Sequence, residues 1–124
     1  MVEDRKIILR EKCIEFAIYV SDLCDGITGC SVYTNQLIRC SSSIGANVHE
    51  AKYGHSTADF VGKMEIALKE CYETEYWLEL IYRKKKLTSQ QYQNAVILSG
   101  NIRRMLIASI TTAKNNAAKK AQDS

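Results

Sequence analysis

The chain predicts an all-α protein, an antiparallel up-down-up-down four-helix bundle, on three observations. Proline is absent and glycine occurs only six times in 124 residues, so little in the sequence interrupts a helix. Apolar residues recur at alternating spacings of three and four in four separate stretches, the spacing of one helical face. Short polar or glycine-bearing breaks separate the stretches, and short connections set neighbouring helices antiparallel. A chain of this length is expected to form one domain, burying roughly two-thirds of the surface its unfolded form exposes.

The first helix is expected from about Asp4 to Cys24, with Leu9, Cys13, Phe16, Val20, Leu23 and Ile27 as its seam. Ile7, Ile14, Ala17 and Ile18 widen that seam, so this helix has apolar surface for more than one neighbour. Gly26 and Gly29 then supply a turn. The second helix is expected to start at Thr34 as N-cap, with Tyr33 and Ile38 as a hydrophobic staple. Its seam reads Leu37, Cys40, Ile44, Asn47, Ala51, surrounded by the small residues Ser41, Ser42, Ser43, Gly45 and Ala46. Small side chains let another helix approach closely, a packing reason to accept the roughly 1 kcal/mol that Gly45 costs relative to Ala.

Ser56 with Asp59 reads as a variant capping box opening the third helix. Its seam is Phe60, Met64, Ala67, Cys71, Thr74, Leu78 and Ile81, and its polar face is acidic: Glu65, Glu70, Glu73, Glu75 and Glu79 against Lys63 and Lys69. The cations of Arg83, Lys84, Lys85 and Lys86 stand at its C-terminus, where the helix dipole favours them. Thr88 with Gln91 is a capping box for the fourth helix, whose seam is Ala95, Ser99, Ile102, Leu106, Ser109 and Ala113. From residue 116 no bulky apolar side chain remains, so the expected division is a bundle over 1–115 and a disordered basic tail over 116–124.

The five cysteines are odd in number and lack a CxxC pair, so they read as reduced, buried, small apolar residues. The N-terminus has charges on both sides of a very short apolar run, which excludes a signal peptide or a membrane span there and leaves a cytoplasmic location as the expectation. A di-metal carboxylate site needs Glu-x-x-His on two helices. Three residues before His49 is Ala46 and three before His55 is Lys52, so no metal site is expected. There is no catalytic His and acid arrangement beside a serine or cysteine, and no glycine-rich phosphate loop. No cofactor or enzymatic activity is expected.

Charge is distributed unevenly. Residues 1–82 carry 8 Lys/Arg against 13 Asp/Glu, and residues 83–124 carry 9 Lys/Arg against one acid, Asp123. The basic set, Arg83, Lys84, Lys85, Lys86, Arg103, Arg104, Lys114, Lys119 and Lys120, suits contact with nucleic-acid phosphates, with Tyr82 or Tyr92 as base-stacking partners. The same cations suit docking on the acidic third helix, within the chain or on a neighbouring subunit. Tyr72, Tyr76, Trp77 and Tyr82 are more aromatics than one seam buries, which points to an interface. Asn47 in a seam needs hydrogen-bond partners. Glu50, Glu73 and Glu75 are the candidates, forming either a register-fixing polar core network or a polar pocket between the second and third helices.

The stretch SIGANVHEA, followed by STADFVGKMEIALKECYETEYWLEL, resembles the bacterial four-helix bundle proteins encoded within intervening sequences of large-subunit ribosomal RNA genes. The resemblance covers most of the chain. The family's Ser-aliphatic-x-Ala-Asn-aliphatic-x-Glu pattern falls on Ser43, Ile44, Ala46, Asn47, Val48 and Glu50, with Gly45 where Pro is frequent and Ala51 where Gly is usual. Its Ser-x-x-acid-Phe falls on Ser56, Asp59 and Phe60, and its Ile-Ala-x(5)-Glu-x-Glu on Ile66, Ala67, Glu73 and Glu75. The resemblance implies a homo-oligomer, a ring of about five subunits. It also implies a likeness in fold to accessory proteins of diversity-generating retroelements, which bind nucleic acid and a reverse transcriptase through a basic surface. The leading expectation is therefore an oligomeric, non-enzymatic protein that binds RNA or DNA. The alternative is a structural or protein-partner module with no nucleic-acid binding.

Overall fold

A computed structural model describes residues 2–123; Met1 and Ser124, the outer bounds of the expected bundle and tail, lie outside the described residues. Four helices form: α1 (Val2–Asp25), α2 (Ser31–Ala51), α3 (Thr57–Arg83) and α4 (Ser89–Asp123), and no strand occurs among the described residues. Each packs against two others, α1 on α2 and α4, and α3 on α2 and α4. Across the diagonals, α1 and α3, like α2 and α4, bring no Cα pair within 8 Å. This is the packing of a four-helix bundle around a single core.

Cross-helix pairs fix the alignment. The side chain of Cys13 approaches Gly45, and Nε of Arg10 donates to Nδ1 of His49 at 3.4 Å. Arg39 reaches Glu70 and Glu73, while Lys63 reaches Glu50. Arg103 meets Glu75 and Lys114 meets Glu65. In each of these pairs of helices the numbering rises on one member as it falls on the other.

Local signals set two of the helix starts. Asp59 N–H donates to Ser56 Oγ at 3.1 Å, capping α3, and Asp59 Oδ2 in turn accepts from His55 N–H at 3.1 Å. At α4 the box closes both ways, Gln91 N–H on Thr88 Oγ1 at 3.1 Å and Thr88 N–H on Gln91 Oε1 at 2.9 Å. The start of α2 differs from the expected one. It begins at Ser31 after Cys30, which caps with no side-chain bond, and the Thr34 hydroxyl donates back to Ser31 O at 3.3 Å. The turn itself sets this start: Gly29 takes a φ of +85°, and the N–H groups of Tyr33 and Thr34 converge on Cys30 O.

The α3 seam is buried at every position from Met64 to Ile81, with Val61 in place of Phe60 at its start, whereas α1, α2 and α4 each displace a later seam position by one. The buried residues include Cys24, Val48 and Ile110, each one position after the seam residues read from sequence, Leu23, Asn47 and Ser109. A strict three-four repeat averages 3.5 residues per turn, and a straight helix has 3.6, so the buried face advances about 20° per heptad. Two heptads move the core by nearly half a residue step, enough to exchange neighbours. Asn47 is thereby only half-buried, and Val48 takes the core position.

Over the stretch expected as a tail, α4 is helical to Asp123, and the residues from Lys114 to Asp123 are exposed except half-buried Ala117. Ala, Lys and Gln, which dominate that stretch, are strong helix formers, and they continue a helix already nucleated by the bundle.

Candidate nucleic-acid interface

The nine cations singled out by charge do not form one surface. Helix packing turns Arg103 toward α3, where Nε lies 3.3 Å from Glu75 Oε2 with both side chains largely covered. Lys114 Nζ lies 3.7 Å from Glu65, and Arg83 pairs with Glu79 one turn earlier at 2.9 Å. Arg104 Nη2 donates to Asn101 Oδ1 at 2.6 Å. Part of the basic charge thus meets the acidic face of α3 within the chain, and Lys119 and Lys120 stand exposed on the last turns of α4.

What stays together and exposed is the turn between α3 and α4. Among the described residues, Lys84, Lys85 and Lys86 form no ion pair. The turn has the double bond of a Schellman motif: Lys86 N–H donates to Ile81 O at 3.2 Å and Lys85 N–H to Tyr82 O at 2.8 Å. That motif requires a left-handed residue, and here Lys85 has a φ of 63° where glycine is the usual occupant. Lys84 Nζ sits 5.8 Å above the ring of Tyr33, and Lys86 Nζ lies near Gly29, so two of the lysines lean on the α1–α2 turn.

The aromatics are mostly committed to one another. Tyr82 and Tyr92 stack at 4.3 Å and 2°, which takes up one face of each ring expected to receive bases. Tyr33 stacks on Trp77 at 5.9 Å, and Tyr76 meets Trp77 edge-on at 5.1 Å. Tyr72 and Tyr76 remain more than half exposed, as do Ile7 and Ile18 on α1; Ile14 between them is 40% exposed. The three isoleucines are spaced seven and then four apart, one apolar stripe on the solvent side of α1.

The expected polar core network does not assemble. Asn47 Nδ2 donates to Ser43 O at 2.8 Å and to Ser43 Oγ at 3.1 Å, both in its own helix. Glu50 is exposed and takes Lys63 at 3.0 Å. Glu73 accepts from Arg39 and from Trp77 Nε1 at 3.1 Å, and Glu75 accepts from Arg103. Arg39, which bridges Glu70 and Glu73 across α2 and α3, carries no signal in sequence beyond being a cation in an acidic half.

All five thiols are buried and unpaired with one another. Burial pushes Cys13 and Cys71 up to about 12, and burial together with nearby Asp25 and Cys30 pushes Cys24 up to about 11. Protonated thiols are poor nucleophiles and poor metal ligands. Among the described residues no group of three or more His, Cys, Asp and Glu is arranged so that it could hold a metal ion, and no helix is long and apolar enough to cross a membrane.

A solved structure of similar sequence supports the architecture. It is a protein of unknown function from the S23 ribosomal protein family of Bacteroides thetaiotaomicron, 38% identical, superposing with a TM-score of 0.82 over 86% of this chain and 98% of that one. Among curated proteins none matches the chain. The model of the 23S rRNA-intervening sequence proteins matches residues 5–108, most of the bundle and both motif stretches on α2 and α3, and the chain therefore belongs to the 23S rRNA-intervening sequence protein family.

Proposed function

We propose that the chain is a non-enzymatic, oligomeric protein of the cytoplasm that binds the nucleic-acid backbone, with the lysine turn at Lys84, Lys85 and Lys86 as its principal phosphate contact. The observation that carries this reading is Lys85. A non-glycine residue in the left-handed region costs roughly 1 kcal/mol, and a backbone cost of this kind held at an exposed cluster of like charge is a mark of function over stability. The family's name ties its members to intervening sequences of 23S rRNA, which makes RNA the first nucleic acid to try. Arg104, Lys119 and Lys120 extend the contact along α4; Arg103 and Lys114 are drawn toward α3 instead. The exposed isoleucine stripe on α1 supports self-association, in the ring of about five that the family resemblance implies.

Light scattering coupled to size exclusion, at about 50 and 200 mM salt with and without single-stranded RNA, tests it. Backbone contacts lose affinity steeply across that range, so RNA should travel with the oligomer at low salt and leave it at high salt. An oligomer of unchanged mass that takes up no RNA at low salt would overturn the reading. That outcome would favour the second one, an assembly or protein-partner module built on the α1 isoleucines.

A further inference from the structure

The bundle does not fill at the end where α1 and α3 begin and α2 and α4 finish. A cleft of about 700 Å³ opens there, within the roughly 300–1,000 Å³ of small-molecule sites. It exists because α4 presents Ala108, Ser109 and Ala113 where larger residues would close the gap against Leu9, Ala51 and Phe60. Leu9 and Ala51 are buried at its floor. Three cations stand around it, Arg5, Lys6 and Lys52, and among residues 5–123, whose side chains are described, no carboxylate lines it. Lys6 Nζ lies 5.1 Å above the Phe60 ring, so one of these charges is held against the apolar wall. Arg5 and Lys52 form no ion pair among the described residues.

The apolar floor, the three cations and the hydroxyl and amide groups of Ser56, Thr57, Ser109, Thr112 and Asn116 together suit a hydrocarbon body ending in an anion. We propose that this cleft binds a medium-chain alkyl carboxylate, the chain lying against Leu9, Phe60 and Met105 and the head group held by Arg5 and Lys52. The site lies at the far end of α3 from the lysine turn and stands independently of nucleic-acid binding.

Calorimetric titration of the full chain with octanoate, decanoate and uncharged 1-decanol, below their aggregation limits, tests it. Each methylene that leaves water tightens binding about fourfold, so decanoate should bind about fifteenfold more tightly than octanoate, one per chain. Ala108→Trp, at an exposed position on the cleft wall, should abolish the heat. Arg5→Gln with Lys52→Gln should weaken decanoate about tenfold and leave 1-decanol unchanged, circular dichroism confirming that each variant folds. Three results would overturn the proposal: no heat with millimolar decanoate, binding that survives Ala108→Trp, or equal losses for decanoate and decanol in the glutamine pair. A silent titration combined with a lower mass for Ala108→Trp would also overturn it, assigning the cleft to a second copy of the chain.

Discussion

Replacing Lys85 by glycine should move stability and nucleic-acid affinity in opposite directions. The backbone at this position has a φ of 63°, and its N–H is already bonded to Tyr82 O, so glycine fits with no loss of the turn's hydrogen bonds. Relief of the left-handed conformation is worth about 1 kcal/mol or slightly more. The greater freedom of glycine in the unfolded chain returns roughly half of that, leaving a net gain near 0.5 kcal/mol. Urea unfolding resolves such a gain as a higher midpoint at constant slope. Fluorescence anisotropy with single-stranded RNA reads the other side. One lost phosphate contact lowers the slope of log affinity against log salt by about 0.7, which is about a 2.6-fold smaller loss over a fourfold rise in salt. If Lys85→Gly stabilises the chain while the salt slope stays unchanged, the strained lysine has no part in phosphate binding. If it destabilises the chain, the account of the turn itself is wrong.

Two glycines with the same helical chemistry should respond oppositely to alanine. A Cβ on Gly62 meets nothing within 4 Å, so Gly62→Ala should gain about 1 kcal/mol in urea unfolding. On Gly45 it would lie 3.0 Å from the Cβ of Cys13, forcing α1 and α2 apart, so Gly45→Ala should show no gain or a loss; equal gains at both sites would refute the close approach. Asn47→Ala should change stability by no more than about 0.5 kcal/mol, because its partners are in its own helix; a loss above about 2 kcal/mol would restore a core role. Stability should also fall at alkaline pH. Cys13 and Cys71 shed protons near 9.0 when unfolded and near 12 when folded. Above pH 9 the unfolded state therefore binds fewer protons, and each thiol removes about 1.4 kcal/mol per pH unit until its folded value is passed. Urea midpoints at pH 8, 9.5 and 10.5 measure this, with Cys13→Ala showing a shallower decline; a flat profile would refute the assignment.

What was legible in the sequence was what is decided within one turn of chain. The caps at Ser56 and Thr88 depend on a hydroxyl and an acid or amide three residues on, and both can be read without knowing any neighbour. The α3 seam was legible from Met64 to Ile81, while in α2 a repeat of three and four departed from the true helical pitch and misplaced Asn47 by one residue. The charge surface was the least legible part. Whether Arg103 faces solvent or Glu75 depends on the rotation of α4 against α3, a property of two helices that neither sequence alone contains. The left-handed Lys85 was hidden for the opposite reason: the residue that normally announces such a turn, glycine, is missing from it. The end cleft has no local signature because its cations come from the start of α1 and the turn after α2, residues 5, 6 and 52.

The placement of all five thiols inside the bundle ties chemical lifetime to physical opening. An oxidant or alkylating agent in solution meets no reactive sulfur while the helices are closed, so the rate of modification is set by how often the chain opens far enough to expose each seam. Cys24 and Cys30 border the α1–α2 turn, whereas Cys13, Cys40 and Cys71 lie in the middle of their helices. Pulsed thiol labelling of the unmodified protein should therefore report two clocks, a faster one for the end of the bundle and a slower one for its centre, with no probe added.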